Sequence, residues 1–126
     1  MIEALINGDL PRLRSLTGAE FIEPVGPPPY MAETLPAVRE RLRDNPAEQR
    51  WWNWLVVRRD TRTAVGSIAF AGRPDAAGAV LIGYAMYPGR EGRGYATEAT
   101  RALVDWAFGQ PGVRIVRALA PVWNTP

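Results

Sequence analysis

The sequence predicts one α/β (α+β) domain: a mostly antiparallel central sheet with flanking helices, joined near its end by a crossover helix. Three observations predict it. Short helical patterns open the chain. Three β-rich segments separated by short polar turns follow. A strongly amphipathic helix then leads into a last strand, and a strand–helix–strand order calls for a crossover. With 126 residues, 47% of them hydrophobic, the chain is sized for a single domain over residues 1–126.

Ile2, Leu5 and Ile6 share a helical face that stops at Gly8, and Asp9 then caps a second short helix. That helix tolerates Pro11 in its first turn and ends at Gly18. Residues 24–30, Pro-Val-Gly-Pro-Pro-Pro-Tyr, form a stiff extended connector. From 34 to 43 the apolar residues Leu35, Val38 and Leu42 recur at helical spacing, with Arg39, Glu40, Arg41 and Arg43 on the wet face. Aromatic and β-branched residues at 51–58 predict a first strand, and Asp60-Thr61-Arg62 turns it into a second at 63–71. Alternation within the first strand places Trp52 and Trp54 on one face, as core or as a cleft wall. A third strand spans 79–87, a helix runs over 95–108 to Gly109 and Pro111, and a fourth strand covers 114–120.

Two absences narrow the chemistry. The chain has no cysteine and no histidine, which removes disulfides, thiolate nucleophiles, Ser-His and Cys-His dyads and the usual zinc sites. No metal is expected, and catalysis is left to carboxylates, hydroxyls, amines and backbone dipoles. A net charge of +2 gives no large positive field, so nucleic acid is not an expected partner. No apolar run is long enough to span a bilayer, and the start lacks the basic flank and cleavage signal of a secreted chain. No membrane partner is expected, and the cytoplasm is the expected compartment.

Residues 82–99 carry the most information. They read as a strand, a turn containing Gly89, Gly92, Gly94, Arg90 and Arg93, and the start of a helix. Glycines let the backbone adopt positive φ and approach a ligand closely. A helix N-terminus presents unpaired N–H groups and a partial positive charge, which suit a phosphate. Two arginines beside it add charge-assisted donors. The nucleotide-hydrolase loop is excluded because no Gly-Lys-Ser/Thr follows. The dinucleotide fingerprint fails on glycine spacing.

The run Glu91-Gly92-Arg93-Gly94-Tyr95-Ala96 resembles the acetyl-CoA signature of GNAT acetyltransferases, Gln/Arg-x-x-Gly-x-Gly/Ala. With Ile82-Gly83-Tyr84 before it, Thr97-Glu98-Ala99 and Trp106-Ala107-Phe108 after it, and the closing Ala120-Pro121-Val122-Trp123-Asn124, the chain is similar to the branch that acetylates ribosomal-protein N-termini. The resemblance implies a GNAT-like sheet, incomplete at the C-terminus, and an acetyl-CoA co-substrate. It implies a bulged strand whose free backbone groups at Ala85, Met86 and Tyr87 hold the pantetheine arm. The amides from Glu91 to Ala96 would take the pyrophosphate, Arg90, Arg93 and Thr97 would lie near it, and Asn124 would face pantetheine. Activity would be direct attack of an acceptor amine on the thioester, with the Met86 N–H stabilising the oxyanion.

The chain departs from the pattern at several points. Glu91 stands where the signature has Gln or Arg. Leu81 stands where the branch often has a glutamate proposed as general base, which leaves Glu23, Tyr84 or a water chain to take the proton. Glu98 reads as structural. Both ends look shortened relative to the family, and a homodimer formed by strand exchange would then complete the sheet. The alternative is a non-catalytic acetyl-CoA-binding or assembly module.

Overall fold

A computed structural model describes residues 1–22, 25–28, 31–90 and 92–118. Helices α1 (Ile2–Asn7) and α2 (Leu10–Thr17) meet at Gly8, whose left-handed φ of 64° lets the Gly8 and Asp9 amides bond back to the Leu5 and Ala4 carbonyls. The Asp9 carboxylate accepts from the Arg12 N–H at 3.3 Å, the predicted cap. Helix α3 (Leu35–Asp44) runs into a 3-10 turn at Pro46–Trp51. Strands β1 (Asn53–Val57), β2 (Ala64–Phe70) and β3 (Ala79–Met86) follow, then α4 (Tyr95–Phe108) and β4 (Ile115–Ala118).

The strands lie in the order β1-β2-β3-β4. The first three form an antiparallel meander, and β4 pairs parallel with β3 after the α4 crossover. The mixed sheet expected from the order of patterns is therefore the one formed. Residues 119–126, including the end of the expected last strand and Asn124, lie outside the described residues.

One core sits on each side of the sheet. On one face, Leu5, Leu13, Leu35 and Val38 of the opening helices pack with Phe21, Ala64 and Tyr87. On the other, α4 presses Leu103 and Ala107 onto Ile68, Phe70, Val80 and Ile82. Each fully buried Leu, Val or Phe contributes about 1.5–3 kcal/mol. Trp51 anchors the α4 side, with its ring 5.6 Å from Phe70 and 5.0 Å from Trp106.

Two expectations need correcting here. The first strand begins at Asn53 rather than at residue 51, because Pro46 opens a 3-10 turn and the Trp52 N–H bonds to the Gln49 carbonyl. Trp52 and Trp54 do not share a face. Trp54 meets Trp106 edge-on at 5.7 Å on the α4 side, whereas Trp52 packs with the α1–α3 core. The physical reason is that Trp52 precedes the ladder, with φ −127° and ψ −127°, so strand alternation does not reach it. Among the described residues no helix is long and apolar enough to cross a membrane.

Candidate functional site

Strand β3 leads into a glycine-rich turn. At its end Tyr87-Pro88-Gly89-Arg90 forms a tight turn, closed by the Arg90 N–H donating to the Tyr87 carbonyl at 3.1 Å. Proline presets the second position, and Gly89 supplies φ 82° at the third, as a type II turn requires. Gly92 (φ 72°) and Gly94 (φ 80°) are also left-handed. A Cβ added at any of these three glycines meets no heavy atom within 4 Å. Backbone conformation, not crowding, thus demands glycine at all three.

Gly94 is the N-cap of α4, and no side chain caps that end. The helical ladder starts with the Glu98 N–H bonding to the Gly94 carbonyl at 3.0 Å. The amides of Tyr95, Ala96 and Thr97 therefore precede the first helical bond and, with the helix dipole, suit a diphosphate. Arg90 is half-buried and Arg93 exposed, and neither forms an ion pair with another described residue. Glu91 lies outside the described residues. The residues present fit the pyrophosphate of a coenzyme A thioester.

The resemblance implies a bulged strand entering this loop. Strand β3 instead meets β2 in unbroken register from Gly66↔Met86 to Phe70↔Ile82, and a register shift falls one strand away, between Val56 and Val57. The Tyr87 N–H donates to the Val65 carbonyl at 2.9 Å, and the Ala71 N–H to the Leu81 carbonyl at 3.0 Å. By the alternation of an antiparallel ladder, residues 81, 83, 85 and 87 then bond toward β2, and 80, 82, 84 and 86 face β4. The described pairing with β4 ends at Ile82↔Ala118. Of the three expected pantetheine contacts, Ala85 and Tyr87 thus give their amides to β2, and Met86 directs its own to the β4 side, past the last described pair.

The side chain of Tyr87 belongs to the core. Its hydroxyl donates to the Gly26 carbonyl at 2.6 Å, and burial pushes its pKa up to about 12. Tyr84 is 38% exposed and lines a groove of about 440 Å³ with Ala96, Thr97, Thr100, Arg101 and Val104 of α4. The structure thus brings Tyr84, Ala96 and Thr97 together. Tyr95 turns the other way, into a second groove of about 490 Å³ between α4 and the β1–β2 pair, where Glu98 also lies. Leu81 sits on the face away from α4, opposite Arg117. Glu23 lies outside the described residues, as Asn124 does. Thr100 and Arg101, which no sequence motif marks, line the Tyr84 groove too, because helical spacing from Thr97 places both on its face.

The sequence model of the acetyltransferase (GNAT) domain family matches residues 1–126. An uncharacterised N-acetyltransferase of Bacillus subtilis (strain 168), YjdG, is 33% identical over 86 residues, covering 68% of this chain and 51% of that protein. The chain thus spans about half the length of the curated relative it matches. A solved GNAT-family acetyltransferase from Bacillus anthracis superposes with a TM-score of 0.55 over 98% of this chain and 66% of its own, at 20% identity. That likeness establishes the fold.

Proposed function

The chain belongs to the acetyltransferase (GNAT) family, and from that premise we propose that it moves an acetyl group from acetyl-CoA to a primary amine. One observation carries the reading. Directly after β3, three left-handed glycines open onto an uncapped helix start, beside a strand amide, that of Met86, aimed away from its antiparallel neighbour.

Each residue has a role in this reading. The amides of Gly92 to Thr97 hold the diphosphate, with Arg90 and Arg93 offsetting its charge and that of Glu91. Ala96, Thr97 and Thr100 form the helix wall of the groove beside β3, and the family resemblance assigns Asn124 to the pantetheine arm. The Met86 N–H donates to the thioester carbonyl oxygen as charge develops there. Acetyl-CoA supplies the activated acyl carbon; the amine nitrogen bonds to that carbon as the carbon–sulfur bond breaks and the thiolate departs. Tyr84, Glu23 or a bound water accepts the amine's proton. The acceptor is a primary amine; the branch that the Ile82-Gly83-Tyr84 and 94–99 sequences resemble acts on protein N-termini, which makes peptide N-termini the first acceptors to try.

Thermal unfolding with acetyl-CoA tests binding: ligand at a hundred times its dissociation constant stabilises the fold by about 2.7 kcal/mol. Thiol release in the presence of peptide N-termini, polyamines and amino acids tests turnover and acceptor class. Gly94→Glu places bulk and negative charge in the cradle and should abolish both signals. Full binding by that variant would remove the site from this corner, and binding without thiol release across the amine panel would leave a binding module instead of an enzyme.

A further inference from the structure

We propose that the Met86 side chain sets the length of acyl chain that the site accepts, by closing the way into the apolar groove between α4 and the β1–β2 pair. The inference rests on the acetyl-CoA reading above and deepens it. Met86 presents two groups in two directions. Its amide faces the β4 side, where the thioester carbonyl is placed. Its side chain crosses β2 on the α4 face: a Cβ built on Gly66 would lie 2.5 Å from the Met86 Cε and 2.7 Å from its Sδ. The thioether thus occupies the space directly above Gly66, which no other residue type would leave for it.

Gly66 is next to residues of the second groove. It pairs with Val56 and adjoins Val65, and both line that groove with Ile68, Ala99, Ala102 and Leu103. Its floor and α4 wall are mostly aliphatic, with Trp54 and Tyr95 among them, and Arg58, Arg59, Asp60 and Glu98 line it as well. A hydrocarbon chain is the ligand chemistry such walls accept, because each methylene removed from water adds about fourfold to affinity. With Met86 in place the acyl group ends short, as an acetyl. Removing the thioether opens a lane over Gly66 from the thioester carbon to the groove.

The test is binding of coenzyme A, acetyl-CoA, butyryl-CoA and hexanoyl-CoA to the whole chain, followed by calorimetry and thermal unfolding. The unmodified protein should bind acetyl-CoA about tenfold more tightly than hexanoyl-CoA. Met86→Ala should raise the hexanoyl-to-acetyl affinity ratio by about tenfold or more, Met86→Val by less. Adding Ala99→Leu to Met86→Ala, which refills the groove from α4, should take that gain back. Because Met86→Val keeps most of the buried volume, it gives a reading if Met86→Ala does not fold. Acetyl-CoA binding with an unchanged chain-length ratio in the Met86 variants would overturn the gate and leave the acetyl-CoA reading intact. No binding of any thioester by the unmodified protein would overturn that reading, and the gate with it.

Discussion

Met86 and Gly66 are opposed across the β2–β3 ladder, and the missing side chain of the one is the seat of the other's thioether. A Cβ on Gly66 would also come within 2.7 Å of the Ala85 carbonyl oxygen, which is backbone and cannot swing aside. Gly66→Ala should therefore lower stability by roughly 1–3 kcal/mol, as overpacking does. Urea unfolding measures it. Adding Met86→Ala should recover only part of the loss, since the backbone clash remains. Full recovery would place the conflict in the side chain alone.

Arg90 and Arg93 flank the glycine turn and have no described ion-pair partner. Replacing either by Ala should weaken coenzyme A binding by about tenfold, as expected for one charge-assisted hydrogen bond. The salt dependence of binding should flatten at the same time. Calorimetry at two ionic strengths reads both effects, and equal weakening at both would assign the arginines a packing role.

Glu48 is 6% exposed and held in a two-pronged pair by Arg41, at 3.2 and 3.1 Å. The Arg41 hydrogen bonds hold its carboxyl below the ordinary value of 4.5 against the opposing effect of burial; the Trp52 indole N–H lies close enough to help, though short of hydrogen-bond geometry. A carboxyl depressed in the folded state contributes stability above its unfolded value and loses it as pH falls through the folded one. The melting temperature should thus decline as pH drops below about 4.5. Glu48→Gln should lower stability by roughly 1–2 kcal/mol at neutral pH and make that acid decline shallower. Melting curves between pH 7 and pH 3 check the sign.

Tyr87 ties the end of β3 to the 25–28 connector through its 2.6 Å bond to the Gly26 carbonyl. Tyr87→Phe keeps the ring in the core and strands that carbonyl, which should cost about 1–2 kcal/mol. Because the turn that starts at Tyr87 leads into the glycine loop, coenzyme A affinity should fall as well. Unfolding and binding measured on one preparation separate the two effects, and stability lost with affinity retained would confine Tyr87 to the core.

The glycine turn and the helix start that follows it were legible in the sequence because their requirements are local. Positive φ demands glycine at 89, 92 and 94, and an amphipathic run beginning at Tyr95 places helix amides beside them whatever the rest of the chain does. The caps at Asp9, Gly8 and Gly18 were legible for the same reason. The aromatic segment was not: Pro46 spends residues 46–51 in a 3-10 turn, and strand alternation read through that turn put Trp52 on the wrong side of the sheet.

Residue types and spacing by themselves determined the order of elements, the glycine turn, and the absence of cysteine and histidine chemistry. Tertiary structure decided which side of β3 each amide faces, that Tyr84 shares a groove with Thr97, and that Met86 rests on Gly66. The difference is physical. Backbone preferences act over a few residues, whereas ladder register, which fixes every inward and outward direction on the sheet, is set only when distant strands pair.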